Sequence, residues 1–368
     1  MPLSPDDPAL GLYQVLRDDG SIDAERDPNL DEATLRSMYR HMLRIRLIDE
    51  RMLMRQRQGK VGFYGASTGQ EATPIVTGHC LREEDWVFPA LREASIMLVR
   101  GFSLESWLAQ IYGNAGDVMK GRMQPMHMAA RAVNQVSWSS CLGPQLPQAV
   151  GCAWAMKIKK QPGIAVTFTG DGATSEPDFH AAMNFAGVYS PPVVIICQNN
   201  HWAISVPSSQ QTASKTFAVK AYAYGIPGIR VDGNDALALH AVINQACERA
   251  RRGEGPTFIE SVTYRIGAHS SSDDPTLYRS EDEVEAWRRR DPIARFDAYM
   301  RGRGLVDDTT RSALEAELTE EILAAIRRVE TLPMPERDTL FDDVFAKRPW
   351  HLEEQAEELQ MHPEAPKH

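Results

Sequence analysis

The stretch "FTGDGATSEPDFHAAMNFAGVYSPPVVIICQNNHWAIS", residues 168–205, puts a carboxylate after one apolar run and two amides after the next. Asp171 follows the run at 164–168, and Asn199 and Asn200 follow the run at 193–197, with a helical pattern between them. In a right-handed strand–helix–strand unit both strands point the same way and end on one edge of the sheet. That edge is where open α/β sheets bind ligands, so Asp171 and Asn200 are expected to project together. A carboxylate and an amide oxygen are hard ligands. They suit Mg²⁺, which takes the rest of its octahedral shell from water and phosphate oxygens. Gly170 and Gly172 let the backbone approach closely, and Gly172-Ala173 leads into a helix whose N-terminus favours an anion. The chemistry implied is a diphosphate bridged by a metal ion. Gly-Asp-Gly alone or Asn-Asn alone marks a turn; the pair one crossover apart carries the reading. No Gly-x-Gly-x-x-Gly follows a strand, so the pattern is not a dinucleotide fingerprint.

The elements that must position these residues follow from periodicity. Residues 1–30 are rich in Asp, Pro and Gly and read as an irregular, unpacked arm. Residues 31–57 carry Leu35, Met38, Tyr39, Met42, Ile45 and Met52 at helical spacing. A second helix is expected over 69–81, then a short strand at Trp86-Val87-Phe88, then Arg92 and a helical stretch to Val99. Residues 113–148 show weak periodicity but too many Met, Trp and Pro for disorder, which predicts a ligand-binding loop. Beyond it come strands at 164–168, 193–197, 229–231 and 258–265. Helices are expected at 177–189 and at 234–252, the latter capped by Asn234 or Asp235 and ended by Gly253. After about residue 280 the chain is charged and helical, at 281–287, 292–300 and 309–329.

Short apolar strands alternating with helices predict a doubly wound α/β fold, a mainly parallel sheet with helices on both faces. The expected organisation is an arm at 1–30, an α/β domain at 31–305 and a C-terminal helical segment and tail at 306–368.

The 368 residues are enough for a large core, and 43% hydrophobic with 24% charged residues is ordinary for a globular chain. The net charge of −10, from 40 basic and 50 acidic residues, argues against a nucleic-acid partner. Five scattered cysteines form no CxxC, which predicts free thiols and no zinc site. No stretch reaches membrane-helix length, and the first residues lack a secretion signal. A cytoplasmic protein is expected.

The paired motifs resemble the thiamin-diphosphate signature. From about Asp31 to Trp350 the chain is similar to the α subunit of the E1 component of 2-oxoacid dehydrogenase complexes. The most specific stretches are "GDGATSEPDFHAAMNFA", "NNHWAISVP", "GNDALALHAVINQACERARRGEGPTFIE" and "YRIGAHSSSDDPTLYR". The last, with Asp273-Asp274, is closer to the branched-chain type than to the pyruvate type.

The resemblance implies thiamin diphosphate and Mg²⁺ as cofactors. The metal would be held by Asp171, Asn200 and the carbonyl of Trp202, which replaces the family's usual Tyr. Arg92 would grip the diphosphate. Leu91 stands where Tyr is frequent, and Gln198 where mitochondrial enzymes have Arg. Ser140 and Leu142 would hold the aminopyrimidine ring. Gly170, Gly172, Ala173 and Ile204 complete the implied cofactor contacts. His269 and His127 are the implied catalytic residues, His269 for proton transfer during reductive acylation. Phe63 and Tyr64 are candidates for the acyl pocket, against plain core.

The Glu that activates the pyrimidine ring comes, in this family, from a separate β subunit. The resemblance therefore implies an α₂β₂ assembly that passes its acyl product to a lipoyl-bearing E2 and acts on branched-chain 2-oxoacids. Three other readings stay open on the residues alone: pyruvate or acetoin as substrate, a Mg²⁺-dependent phosphotransfer enzyme, and a catalytically silent scaffold.

Overall fold

The computed structural model of the chain describes residues 7–18 and 20–362. Residues 1–6, 19 and 363–368, parts of the expected arm and tail, lie outside the described residues. The elements run in chain order as α1 (Glu32–Arg57), α2 (Ala72–Cys80), β1 (Trp86–Phe88), α3 (Ser95–Val99), α4 (Leu104–Tyr112), α5 (Gln145–Lys159), β2 (Ala165–Gly170), α6 (Pro177–Tyr189) and β3 (Val193–Asn199). A two-stranded hairpin follows, β4 (Trp202–Ala203) with β5 (Val206–Pro207), then β6 (Gly228–Asp232), α7 (Ala236–Arg251) and β7 (Thr257–Val262). The chain closes with α8 (Glu281–Arg288), α9 (Pro292–Gly302), α10 (Asp308–Glu330) and α11 (Trp350–Met361).

The main sheet is parallel throughout, in the order β1-β2-β3-β7-β6. Its central strand β3, sequence VVIICQN, is buried along its whole length, as a strand covered on both faces must be. Val193, Ile195 and Cys197 face a core built with α5 and α6, while Val194 and Ile196 face the core of α1, α2 and α7. The period-two alternation of side chains thus assigns one helix layer to each face.

Two helices escape the sequence pattern. Helix α4 starts where Ser103 accepts the Ser106 N–H and stops at Gly113, φ 64°. Its nine residues fall in a stretch for which no element was expected. Helix α5 begins inside the expected loop, so the irregular segment ends at Pro144. A first turn reading Gln-Leu-Pro hides a helix start, because Pro is tolerated where the N–H has no intrahelical partner. Strand β7 is shorter than expected and stops at Val262; Thr263 then donates to the Asn199 carbonyl at 2.9 Å, and the chain leaves the sheet.

The arm is irregular but, contrary to the expectation, packed. Val15 and Leu16 are fully buried, and Tyr13 bridges in parallel to Val231 along the free edge of β6. Both N–H groups of Val15 and Leu16 donate to one oxygen of Asp235, at 2.7 and 2.6 Å. The other oxygen caps α7 through Leu237 and Ala238. Asp235→Ala is expected to lower stability by about 2–3 kcal/mol, a lost cap plus two orphaned donors. Urea unfolding checks the size, and faster proteolysis between residues 7 and 30 checks that the arm is what comes loose.

Helices α1, α2 and α7 bring His41, His79 and His240 together. The His41 and His79 rings lie 5.9 Å apart. Burial pushes both imidazoles down to about 4, each with help from a neighbouring histidine, and burial also lowers His240. The folded state therefore holds them neutral while the unfolded chain takes up protons near its ordinary value of about 6.5. Their contribution to stability is expected to fall as pH drops from about 6.5 towards 4, against the opposite contribution of Glu71 and Glu93, which burial raises to about 7. Thermal melts across that range check it, and replacing His79 by Gln should remove part of that fall.

Candidate active site

Parallel pairing of Gly170 with Gln198 and of Asn199 with Val262 brings the C-terminal ends of β2, β3 and β7 to one edge. Asp171 stands there, 1% exposed. Its carboxylate accepts from the Gln211 Nε2 at 2.6 Å, and the backbone N–H of Asn200 lies near enough to favour its charged form. Burial nonetheless holds its carboxyl above the ordinary carboxylate range. The two motifs therefore do meet.

The Asn-Asn pair divides its labour. Asn199 donates to Glu260 at 2.8 Å and accepts from the His201 N–H, so it ties β3 to its neighbour. Asn200 donates to Gln70 Oε1 at 3.0 Å and accepts the Trp202 N–H at 3.2 Å. His201 and Ile204 turn the chain back with φ of 69° and 54°, a left-handed conformation costly for such side chains. The turn aims the carbonyls of Trp202 and Ile204 at one buried side chain, Arg265, which donates to them at 3.2 and 2.7 Å. The Trp202 ring packs 5.3 Å from Tyr278, and its Nε1 donates to Glu283 at 3.0 Å.

Gly172 and Gly170 serve differently. A Cβ at Gly172 would lie 2.5 Å from the Ala203 Cβ, so glycine is what lets the hairpin close over the site. A Cβ at Gly170 would meet nothing within 4 Å, so space is open there. The helix N-terminus stands at residue 177, as expected, but it is not adjacent to Ala173. A short 3₁₀ turn, Gly172–Ser175, intervenes, and α6 opens at Pro177 beside Glu176 and Asp178. Those carboxylates do not favour an anion.

Positive charge comes from two arginines instead. Arg92 is 7% exposed and donates to the carbonyls of Ala66 and His269, the second at 2.7 Å. Arg265 is 1% exposed, and besides the two turn carbonyls it donates to the Tyr278 hydroxyl at 2.8 Å. Burial first, and Arg265 second, pushes Arg92 down to about 10. Among the described residues neither guanidinium has a carboxylate within salt-bridge distance, whereas Arg46, Arg251 and Arg295 all do. Leu91 packs on Gly65, whose added Cβ would touch it at 3.2 Å. Gln198 donates to Glu93, and its Oε1 is buried without a partner. Burial raises Glu93 to about 7.

His269 lies half-buried beside both arginines. Burial, then Arg92, then Arg265 push its imidazole down to about 4, so it is neutral at physiological pH. The His269 backbone N–H donates to Asp273 at 2.7 Å, and Asp273 also accepts from Tyr278.

The loop before α5 completes the edge. Gln145 donates to the Phe168 carbonyl at 2.8 Å, which seats the start of α5 against the end of β2. Just upstream, His127 Nε2 lies 2.7 Å from the Ser140 Oγ, and its ring stacks on Trp138 at 4.1 Å. Ser140 and Leu142 are exposed. Tyr64 is buried with its hydroxyl on Asp49 at 2.7 Å, and Phe63 packs against the main core; these are core contacts.

Arg265, Gln211, Gln70 and Glu93 were not anticipated from sequence. They come from separate elements, and glutamines have no spacing signature. Arg265 alone carries a signal that could have found it, a charge at the end of a stretch expected to be a buried strand.

Two buried arginines without carboxylate ion pairs and open space at Gly170 suit an anion such as a diphosphate, while the unpaired amide oxygens of Gln198 and Gln211 suit a cation. A parallel α/β sheet with such an edge defines an α/β protein with a candidate anion site at the C-terminal ends of its strands.

A sequence model of the Dehydrogenase E1 component family matches residues 39–338. The chain is 41% identical over 345 residues to 2-oxoisovalerate dehydrogenase subunit alpha 2, mitochondrial, of Arabidopsis thaliana, covering 93% of this chain and 73% of that protein. It is 41% identical over 360 residues to the mitochondrial subunit alpha of Caenorhabditis elegans, covering 97% and 83%. It is 37% identical over 353 residues to that of Homo sapiens, covering 95% and 79%. This chain belongs to the dehydrogenase E1 component family, which is thiamin-diphosphate-dependent.

One expectation is overturned. The relatives are named mitochondrial, which points to that compartment rather than to the cytoplasm. Free thiols suit any reducing compartment and could not separate the two. Among the described residues no helix is long and apolar enough to cross a membrane.

Proposed function

We propose that this chain is the α subunit of a branched-chain 2-oxoacid dehydrogenase E1. It acts in the oxidative decarboxylation of substrates such as 2-oxoisovalerate and in acyl transfer to a lipoyl group. The names of its relatives support the substrate class. The observation that carries the site reading is Asp171 beside Asn200, with Arg265 close to Asp171 and Arg92 close to Arg265, neither guanidinium having a carboxylate within salt-bridge distance among the described residues.

Bound thiamin diphosphate supplies a nucleophilic carbon and an electron sink for decarboxylation. Asp171, Asn200 and the Trp202 carbonyl would hold Mg²⁺. Among the described residues no group of three His, Cys, Asp or Glu is placed to hold a metal, so one carboxylate with neutral oxygens is the set this edge offers. Arg92 and Arg265 bind the diphosphate end. Gly170, Gly172, Ala173, Leu91 and Gln198 shape its surroundings, with Ile204, Ser140 and Leu142 towards the ring end. His269 is neutral and takes up a proton; an anion that offsets the two arginines raises its basicity towards the working range. His127, bonded to Ser140, orients that hydroxyl.

By its resemblance to the family, the chain takes the Glu for the pyrimidine ring from a β subunit, in an α₂β₂ assembly that hands its acyl group to a lipoyl-bearing E2. Calorimetric titration of thiamin diphosphate with Mg²⁺ into the chain, alone and co-expressed with the β subunit, tests the reading. Tight binding confined to the co-expressed sample, and turnover of 2-oxoisovalerate ahead of pyruvate, are the expected results. Absence of binding in both samples would overturn it.

A further inference from the structure

We propose that Gln211 is a positioning residue of the cation site, holding the Asp171 carboxylate and coupling it to the hairpin that closes over it. This rests on the reading of Asp171 as a Mg²⁺ ligand. Gln211 lies outside both motifs, just after the short 3₁₀ turn Ser208–Gln210. One nitrogen serves two acceptors: Nε2 donates to Asp171 Oδ2 at 2.6 Å and to the Val206 carbonyl at 3.0 Å. Val206 belongs to β5, the returning strand of the hairpin whose Ala203 presses on Gly172. The Gln211 carbonyl in turn accepts from Ser175 Oγ at 3.3 Å, in the turn that follows Asp171. The segment 201–211 is thus fastened to the 171–175 segment at both ends of one side chain and its backbone.

The remaining atom argues for a ligand nearby. Gln211 Oε1 is buried and has no hydrogen-bond partner. A buried amide oxygen left unpaired costs free energy that a cation, or a water in its shell, would recover. With Oδ2 held by Gln211, the carboxylate cannot rotate freely, and its orientation is set before the cation arrives. The positioning group is an uncharged donor, so it orders the carboxylate without cancelling the charge that a cation needs, as an arginine or lysine there would do.

The test uses the full chain assembled with its β subunit and reads Mg²⁺ affinity at saturating thiamin diphosphate, with Mn²⁺ as a spectroscopic substitute. Gln211→Met keeps the length and packing but removes donor and acceptor; Gln211→Ala removes both and the packing. Loss of one hydrogen bond to a charged group predicts affinity weakened roughly 10- to 100-fold in both variants. The Mn²⁺ resonance should broaden as the carboxylate loses its fixed orientation, and the melting point without cation and cofactor should fall in Gln211→Met only by what one lost hydrogen bond accounts for, roughly 1–4 °C. Wild-type affinity in Gln211→Met would overturn the proposal, as would a weakened affinity in Gln211→Ala that Met restores, since packing would then account for it. Failure of the wild-type assembly to bind Mg²⁺ at all would instead overturn the assignment of Asp171, and this inference with it.

Discussion

Asp171→Asn is expected to leave the fold intact, raise its stability slightly without cofactor, and abolish Mg²⁺-dependent binding of thiamin diphosphate. The substitution keeps the shape of the side chain and an acceptor for Gln211 Nε2, and it removes the charge. Even partners of metal ligands act on a 10- to 100-fold scale, so loss of a charged ligand should weaken the cation by roughly 100-fold or more. The stability effect has the opposite sign. Burial raises the Asp171 carboxyl above its unfolded value, so above its folded pKa the native state carries the cost of a buried charge. The variant escapes that cost. A gain of ~1 kcal/mol would lift the melting point by roughly 1–2 °C near neutral pH. The advantage should vanish as pH falls and Asp171 takes up its proton. Calorimetry and thermal melts of the same preparation decide it. Unchanged cofactor affinity would remove Asp171 from the site, and a large drop in melting point would make it a structural residue.

Arg92→Lys carries the second large effect. A lysine keeps the charge but cannot span the Ala66 and His269 carbonyls while facing a phosphate. Each hydrogen bond to a charged group contributes about 1.5–3 kcal/mol, so affinity for thiamin diphosphate should fall about 10- to 100-fold per bond lost. His269 provides an independent readout. Arg92 is the largest charge acting on it after burial itself. Lysine preserves the charge but moves it, so the imidazole pKa, followed by NMR, should rise from about 4 in Arg92→Lys. It should rise further in Arg92→Leu, provided that variant folds. Affinity within threefold of wild type, together with an unmoved imidazole, would show that Arg92 only braces two loops.

Much of this was legible before any coordinates. The β2–α6–β3 unit could be read from residues 164–200, because apolar runs of strand length flanking one amphipathic helix admit a single right-handed arrangement. That handedness is a property of L-residues, so it brought Asp171 to Asn200 without knowledge of the rest of the chain. The cap at Asp235 and the stop at Gly253 were equally local, since each follows from how one residue satisfies or bends its own backbone.

Other features were not local. The arm reads as unpacked because its Pro and Asp residues exclude regular structure. Its burial depends on the open edge of β6 and on Asp235, more than 200 residues away. Helix α5 hides behind a Pro in its first turn. The start of α6 at residue 177 was legible, but the 3₁₀ turn Gly172–Ser175 that separates it from Asp171 and keeps an anion from its N-terminus was not.

Arg92 and Arg265 lie some 170 residues apart in sequence, and Gln211 lies 40 residues beyond Asp171. No periodicity relates them. Short-range spacing governs which element forms and which way its end points, because backbone sterics and side-chain alternation act over a few residues. Which distant side chains are buried beside that end, and so what charge it meets and how rigidly it is held, depends on how the strands are ordered and what the loops cover. Those choices are made by packing over the whole domain.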